Sequence, residues 1–178
     1  MLSTKKIFVF VAALVVILMT VGMIEAARLP KTFPKFSTEN LNGDIVTNEI
    51  FWKNDVTMIN FWATWCPPCV AEMPDLAKLD GILGDMDESV GLIGILIDAD
   101  GRGAIQQAEK ILNNAKANFP QLRPNGEMRG LLGAISAIPT SIFVDPSGNI
   151  VGPTMVGANS AEGYLAGFRD ALKEINRK

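Results

Sequence analysis

Two cysteines, Cys66 and Cys69, constrain this chain more than any other feature, because they lie between a strand-like run and a helix-like segment. Residues 56–62 are mostly apolar and include several β-branched side chains, which predicts a buried strand. A helix is expected to begin near Pro67, since proline is tolerated in a first helical turn, and to end near Leu79. The passage from strand to Cys-x-x-Cys to helix favours redox chemistry.

The spacing of the cysteines has chemical consequences of its own. Two intervening residues bring both sulfur atoms within disulfide reach, and the N-terminus of a helix stabilises a thiolate at Cys66. Cys69 lies one turn inside the helix and is expected to be more buried. Cys66 would then attack a substrate disulfide and Cys69 would resolve the mixed disulfide. The alternatives are half of a metal site, two unrelated cysteines, or a structural disulfide, which adds little stability when its loop is so short.

The composition excludes several other classes of function. The chain has no histidine, which rules out Ser-His-Asp and Cys-His catalysis and any histidine-bound zinc or haem. Two cysteines alone cannot fill a four-ligand zinc site. The net charge of −3 gives no electrostatic footprint for nucleic acid. We therefore expect no nucleic-acid partner and no metal, and no cofactor beyond a redox-active disulfide.

The N-terminal segment has the pattern of a membrane anchor. Residues 7–24 carry no charge and follow Lys5 and Lys6. Their length is at the lower limit for a spanning helix and long for a signal-peptide core, and no clear cleavage site follows. The lysines are expected to stay in the cytoplasm, which places the rest of the chain at the cell surface or in the periplasm. A cleaved signal peptide and a buried core helix are the alternatives.

The rest of the chain alternates between strand-like and helix-like stretches. Residues 1–27 are the expected signal-anchor, residues 28–35 a linker and residues 36–178 one domain. A hairpin is expected around the Asn42-Gly43 turn. Further strands are predicted at residues 90–97, 121–123, 141–144 and 150–155, and helices at residues 104–117, 127–132 and 161–175. This order indicates an α/β fold with a mixed sheet.

The sequence around the cysteines, NFWATWCPPCVAEMP at residues 60–74, resembles the thioredoxin superfamily. Within it, the chain is similar to the membrane-anchored TlpA/ResA-like thiol–disulfide oxidoreductases. Residues 137–140 look like the superfamily's cis-proline loop, and residues 142–150 like its penultimate hairpin. The resemblance runs from about Phe33 to the C-terminus. It implies a thioredoxin-like three-layer sandwich with a mixed central sheet, an N-terminal hairpin and a central insertion.

The resemblance also implies a substrate-binding surface beside the cysteines. The Ile138–Pro139 bond is expected to be cis, which leaves the backbone of Ile138 free to pair with an extended substrate segment. The alternative is an ordinary trans bond before a strand. Trp65, Pro67 and Pro68 are expected to contribute to the same contact surface.

A buried carboxyl group is a further expectation from the resemblance. Thioredoxins carry a buried aspartate where this chain has Asn60, which cannot exchange a proton. Glu72 lies three residues after Cys69, on the same face of the predicted helix. We expect it to be a catalytic group with a raised pKa, as in the TlpA/ResA-like branch. The alternative is a solvated helix glutamate.

A twelve-residue stretch, 98–109, has the spacing of a calcium-binding loop. Asp98, Asp100, Gly103 and Glu109 stand at the positions that an EF-hand loop requires. Arg102, however, stands where an oxygen ligand is needed, and the preceding stretch is strand-like rather than helical. We interpret it as a strand-to-helix loop, with a calcium site as the alternative.

These observations predict an extracytoplasmic thiol–disulfide oxidoreductase that acts as a reductase. Proline between the cysteines cannot stabilise the thiolate as the histidine of a strongly oxidising superfamily member does. The resemblance implies substrates such as apocytochrome c, a role in cytochrome c maturation and a transmembrane electron donor. We expect a monomer. A disulfide-forming oxidant or isomerase, a thiol peroxidase and a redox-inert peptide-binding module are the alternatives.

Overall fold

The computed structural model of the protein describes residues 29–86 and 89–177. The predicted membrane anchor, residues 7–24, lies outside them, and no helix within them is long and apolar enough to cross a membrane. Phe33 is buried, and its N–H donates a hydrogen bond to the carbonyl oxygen of Gly148 at 2.8 Å. The packing of the domain therefore begins within the segment 28–35.

The strands form a short hairpin and a five-stranded mixed sheet. The seven strands among the described residues are β1 (Ser37–Glu39), β2 (Ile45–Thr47), β3 (Val56–Trp62), β4 (Val90–Leu96), β5 (Gln121–Leu122), β6 (Thr140–Val144) and β7 (Ile150–Val156). β1 and β2 form the predicted N-terminal hairpin, and the larger sheet has the order β5-β4-β3-β6-β7. β3 pairs in parallel with β4 and antiparallel with β6, so it lies at the centre of the sheet.

The helices lie close to their predicted positions, with two differences. The α-helices among the described residues are α1 (Pro67–Gly84), α2 (Ala104–Ala115), α3 (Gly126–Leu132) and α4 (Ala161–Ile175). α1 continues past Leu79 because Leu83, one turn later, is buried against the core. A 3₁₀ helix at Asn48–Lys53, which buries Phe51, was not predicted, because so short a segment shows no helical periodicity.

The sheet separates two apolar layers. Met58 and Trp62 of β3 face α1, α2 and α4 on one side. Ile59 and Phe61 face the N-terminal segment, the 3₁₀ helix and α3 on the other. β3 is buried along its whole length because successive side chains of a strand point to opposite faces and both faces are covered. The predicted three-layer sandwich with a mixed sheet is therefore confirmed.

Candidate active site

Cys66 and Cys69 form a disulfide at the start of α1. The S–S distance is 2.01 Å and the two Cα atoms are 5.3 Å apart. Cys66 is the N-cap residue of α1, and its Sγ atom accepts a hydrogen bond from the N–H group of Cys69 at 3.3 Å. β3 ends only a few residues earlier, so the central strand delivers the pair to the N-terminus of the helix. The partial positive charge there stabilises a thiolate on Cys66 after reduction.

The surface around the disulfide is apolar. Trp65 is 66% exposed, whereas both cysteines are buried in this oxidised state. Pro67 and Pro68 are exposed at the first positions of α1, where a missing backbone N–H group leaves no helical hydrogen bond unmade. An approaching polypeptide would therefore meet an aromatic ring and two pyrrolidine rings next to the sulfur atoms.

The loop before β6 lies against the disulfide. The Ile138–Pro139 bond is cis, as the resemblance implied. The Sγ atom of Cys66 lies 3.7 Å from the carbonyl oxygen of Ile138. Gly157, which follows β7, donates its backbone N–H to the carbonyl oxygen of Pro139 at 2.8 Å. The structure therefore brings Ile138 and Pro139 to the cysteine pair.

Glu72 lies on α1 beside the cysteine pair and is only 2% exposed, so it is not a solvated helix glutamate. Its Oε1 atom accepts a hydrogen bond from Nδ2 of Asn60 at 2.9 Å. Its Oε2 atom accepts from the hydroxyl group of Tyr164 at 2.7 Å and from the backbone N–H of Asn159 at 3.2 Å. Burial raises the pKa of Glu72, the three hydrogen bonds oppose that rise, and the negative charge of Asp75 adds to it.

Two residues near Glu72, one on α4 and one on β6, were not predicted from the sequence. Tyr164 and Ser141 lie on α4 and β6, and Ser141 Oγ accepts a hydrogen bond from Asn60 Nδ2 at 3.1 Å. Burial and the neighbouring Glu72 carboxylate raise the pKa of Tyr164, which therefore stays a hydrogen-bond donor. One signal was available: Tyr164 is the sole tyrosine, and it lies on the apolar face of an amphipathic helix, where a hydroxyl group needs a partner.

Asp98 holds the loop that precedes Cys66. Its Oδ2 atom accepts hydrogen bonds from the hydroxyl group of Thr64 at 2.6 Å and from the backbone N–H of Thr64 at 3.2 Å. Asp100, two residues on, forms an ion pair with Arg129. The loop between β4 and α2 thus uses its carboxylates to fix neighbouring segments. This arrangement supports the interpretation of residues 98–109 as a strand-to-helix loop.

Asp98→Ala is expected to lower the free energy of unfolding by about 1.5–3 kcal/mol, the usual contribution of hydrogen bonds to a charged group. The loss of these bonds frees Thr64, two residues before Cys66. Chemical denaturation of the oxidised protein measures the change, and Asp100→Ala, which removes only an exposed ion pair, is the matched control. Equal effects of the two substitutions would show that the hydrogen bonds from Thr64 to Asp98 stabilise the fold no more than the exposed ion pair of Asp100 does.

Calcium is expected to leave the melting temperature unchanged. Asp98 already binds Thr64, Asp100 is paired with Arg129, and Arg102 would place a positive charge where a ligand is required. Among the described residues, no cluster of three or more acidic, cysteine or histidine side chains could hold a metal ion. Thermal unfolding with calcium chloride, compared with magnesium chloride and a chelator, tests this. A rise in melting temperature with calcium but not with magnesium would instead support a calcium site at residues 98–109.

A redox disulfide at the N-terminus of a helix, a neighbouring cis-proline and a central mixed sheet define a thioredoxin-fold thiol–disulfide oxidoreductase. The chain belongs to the AhpC/TSA family, whose model matches residues 29–152. It is an enzyme of this oxidoreductase class, in agreement with the predicted fold and chemistry.

Two relatives of known class are thiol-disulfide oxidoreductases. The thiol-disulfide oxidoreductase ResA of Oceanobacillus iheyensis is 32% identical over 111 residues, which are 61% of this chain and 54% of that protein. The chain thus matches about half the length of this relative. The thiol-disulfide oxidoreductase ResA of Bacillus thuringiensis (strain Al Hakam) is 28% identical over 145 residues, 79% of each chain.

Solved structures show the same fold. A thioredoxin-family thiol:disulfide interchange protein from Chlorobium tepidum TLS superposes with a TM-score of 0.66 at 24% identity, over 80% of this chain and 97% of that one. StoA from Bacillus subtilis gives a TM-score of 0.62 at 25% identity, over 78% of this chain and 99% of that one.

Proposed function

We propose that this protein is an extracytoplasmic reductase of protein disulfides, held at the membrane by residues 7–24. The observation that carries the proposal is the place of the Cys66–Cys69 disulfide, at the N-terminus of α1, beside the cis-proline loop and one turn from the buried carboxyl group of Glu72. A stabilised thiolate, a docking surface and a proton acceptor are what a dithiol exchanger needs.

The reaction would run from the reduced protein to the disulfide form seen here. The Cys66 thiolate attacks a substrate disulfide, which forms a mixed disulfide and releases one substrate thiolate. Glu72 then accepts the proton of Cys69. The Cys69 thiolate attacks the sulfur of Cys66, which breaks the mixed disulfide and releases the second substrate thiolate. Two electrons pass to the substrate, and a membrane-embedded dithiol donor would return two electrons to this protein.

The substrate would bind as an extended segment across the disulfide. Trp65, Pro67 and Pro68 supply apolar contact area, and the backbone of Ile138, next to the cis bond, supplies hydrogen bonds of the strand-addition type. The family resemblance makes apocytochrome c, before haem attachment, a candidate substrate and cytochrome c maturation a candidate role.

Two features favour reduction over oxidation. The residues between the cysteines are prolines, which offer no side-chain hydrogen bond to a thiolate. An ionised Glu72 would place a negative charge in the same buried region and so disfavour a thiolate on the cysteine pair. The prolines thus leave the thiolate with the stabilisation from the helix N-terminus alone, and the Glu72 charge opposes that stabilisation, so both features favour a low reduction potential.

The reduction potential of the full-length protein in detergent tests this proposal. The protein is equilibrated in dithiothreitol or glutathione buffers, and the fluorescence of Trp62 and Trp65 reports the redox state. A value near or below about −270 mV, that of thioredoxin, supports a reductase. A value above about −180 mV, that of protein disulfide isomerase, would instead indicate a disulfide-forming or isomerising enzyme.

A further inference from the structure

Asn60 has an unusual hydrogen-bond arrangement for a fully buried side chain. Its Nδ2 group donates to Glu72 Oε1 at 2.9 Å and to Ser141 Oγ at 3.1 Å. Its Oδ1 atom is buried and has no hydrogen-bond partner among the described residues. The amide thus makes its hydrogen bonds through the nitrogen alone. An unpaired buried acceptor costs free energy, so an arrangement that keeps one calls for an explanation.

The observed orientation suits only one protonation state of Glu72. A carboxylate accepts hydrogen bonds, and the NH₂ group of Asn60 provides one. A carboxylic acid with its proton on Oε1 would instead point that proton at a donor. Its other oxygen, Oε2, already accepts from Tyr164 and the backbone of Asn159, so Oε1 is the better place for the proton.

Rotation of the amide by half a turn reverses its hydrogen bonds without moving any other heavy atom, because the oxygen and the NH₂ group are nearly equal in size. In the turned orientation, Oδ1 accepts from the protonated Glu72. It accepts also from the hydroxyl group of Ser141 once that group turns its proton from Tyr164, with which it interacts in the structure, toward Asn60. Each orientation pairs one end of the amide twice and leaves the other end unpaired. The proton on Glu72 therefore decides which orientation is lower in free energy.

We propose that Asn60 is a positioning residue whose amide group turns over as Glu72 gains and loses its proton. This inference rests on the proton exchange by Glu72 proposed above. One buried side chain would then provide a hydrogen bond to both states of the acid and reduce the free-energy difference between them. An aspartate at this position, as thioredoxins have, could not do so, because its two oxygen atoms are both acceptors when it is ionised.

The charged and titratable groups around Glu72 are few. Tyr164 on α4 keeps its proton because its pKa is raised, and Asp75 on α1 adds negative charge at longer range. Cys66 and Cys69 are titratable in the reduced state only. The contacts from β3 and β6 come from Asn60 and Ser141, which are neutral. In the oxidised protein, Glu72 is therefore the group whose titration would act on Asn60.

Nuclear magnetic resonance of the oxidised full-length protein in detergent tests the proposal. The carboxyl carbon of Glu72 and the side-chain amide of Asn60 are followed across the titration of Glu72. We expect the Asn60 amide resonances to shift with the same midpoint as the Glu72 carboxyl. Asn149 is the matched control, because its Nδ2 group donates at 2.8 Å to a different carboxyl group, that of Asp145, so its amide resonances should not share the Glu72 midpoint.

Glu72→Gln provides a second measurement. The oxygen of the new amide stays with the donors Tyr164 and Asn159, so its NH₂ group faces Asn60 and mimics the protonated acid. We expect the Asn60 resonances of this variant to stay at their low-pH positions at every pH. Asn60 resonances that stay fixed in the wild-type protein while Glu72 titrates would overturn the inference. Insulin reduction by the wild-type protein is assayed separately. Loss of the proposed function would appear as a lack of insulin reduction, whereas failure of this inference would appear as unchanged Asn60 resonances.

Discussion

Cys66→Ser is expected to abolish disulfide exchange, whereas Cys69→Ser is expected to trap the substrate as a stable mixed disulfide. Cys66 lies at the N-terminus of α1 and beside Ile138, so it is the sulfur that can both ionise and meet a substrate. Cys69 only resolves the intermediate. Insulin reduction measures the first effect, which should be complete, and non-reducing gel electrophoresis measures the second.

The two cysteine variants control for one another. Each removes the same disulfide, which closes so short a loop that its contribution to stability is at most about 2 kcal/mol. Both variants should therefore fold and differ only in chemistry. A mixed disulfide that accumulates with Cys66→Ser instead of Cys69→Ser would show that the roles of the two cysteines are reversed.

Glu72→Gln is expected to slow disulfide reduction by a factor of about 10²–10⁴, the usual contribution of general acid–base catalysis. Glutamine keeps the shape of the side chain but cannot take the proton from Cys69. The rate should also lose the pH dependence that the carboxyl group confers. Stopped-flow reduction of insulin over a range of pH measures both effects. Glu162→Gln on α4, which affects only an exposed ion pair with Lys78, is the matched control.

The same substitution should change how stability depends on pH. The pKa of Glu72 is raised in the folded protein, so the folded state binds more protons than the unfolded state between the ordinary glutamate pKa and the raised one. Stability from this group is therefore fully present below the ordinary pKa and is lost as the pH rises through the raised pKa. Denaturation at several pH values should show a smaller loss in Glu72→Gln than in the wild type. An unchanged pH profile would contradict the buried, proton-exchanging carboxyl.

Much of the fold followed from local patterns. The strand before the cysteines followed from its short, β-branched-rich apolar run, and the helix after them from a proline in its first turn. The helix at residues 161–175 followed from its amphipathic period. The 3₁₀ helix and the last turn of α1 were missed, because the first is too short to show helical periodicity and the second depends on the burial of Leu83. Expectations for residues 7–24 remain predictions, since that segment lies outside the described residues.

The sequence by itself determined the redox pair and an α/β fold with a mixed sheet, because the cysteine spacing and the pattern of each element are local properties of the chain. The thioredoxin-like form of that fold was implied by the resemblance of residues 60–74 to the thioredoxin superfamily. The sequence also indicated Glu72 as a candidate catalytic residue, but not the burial and the hydrogen-bond partners that set its pKa. Tyr164 lies 92 residues away along the chain, and Asp98 lies 34 residues from Thr64. Only tertiary packing brings such groups together, and burial and hydrogen bonding from distant elements decide the protonation of Glu72 and the position of the loop before Cys66.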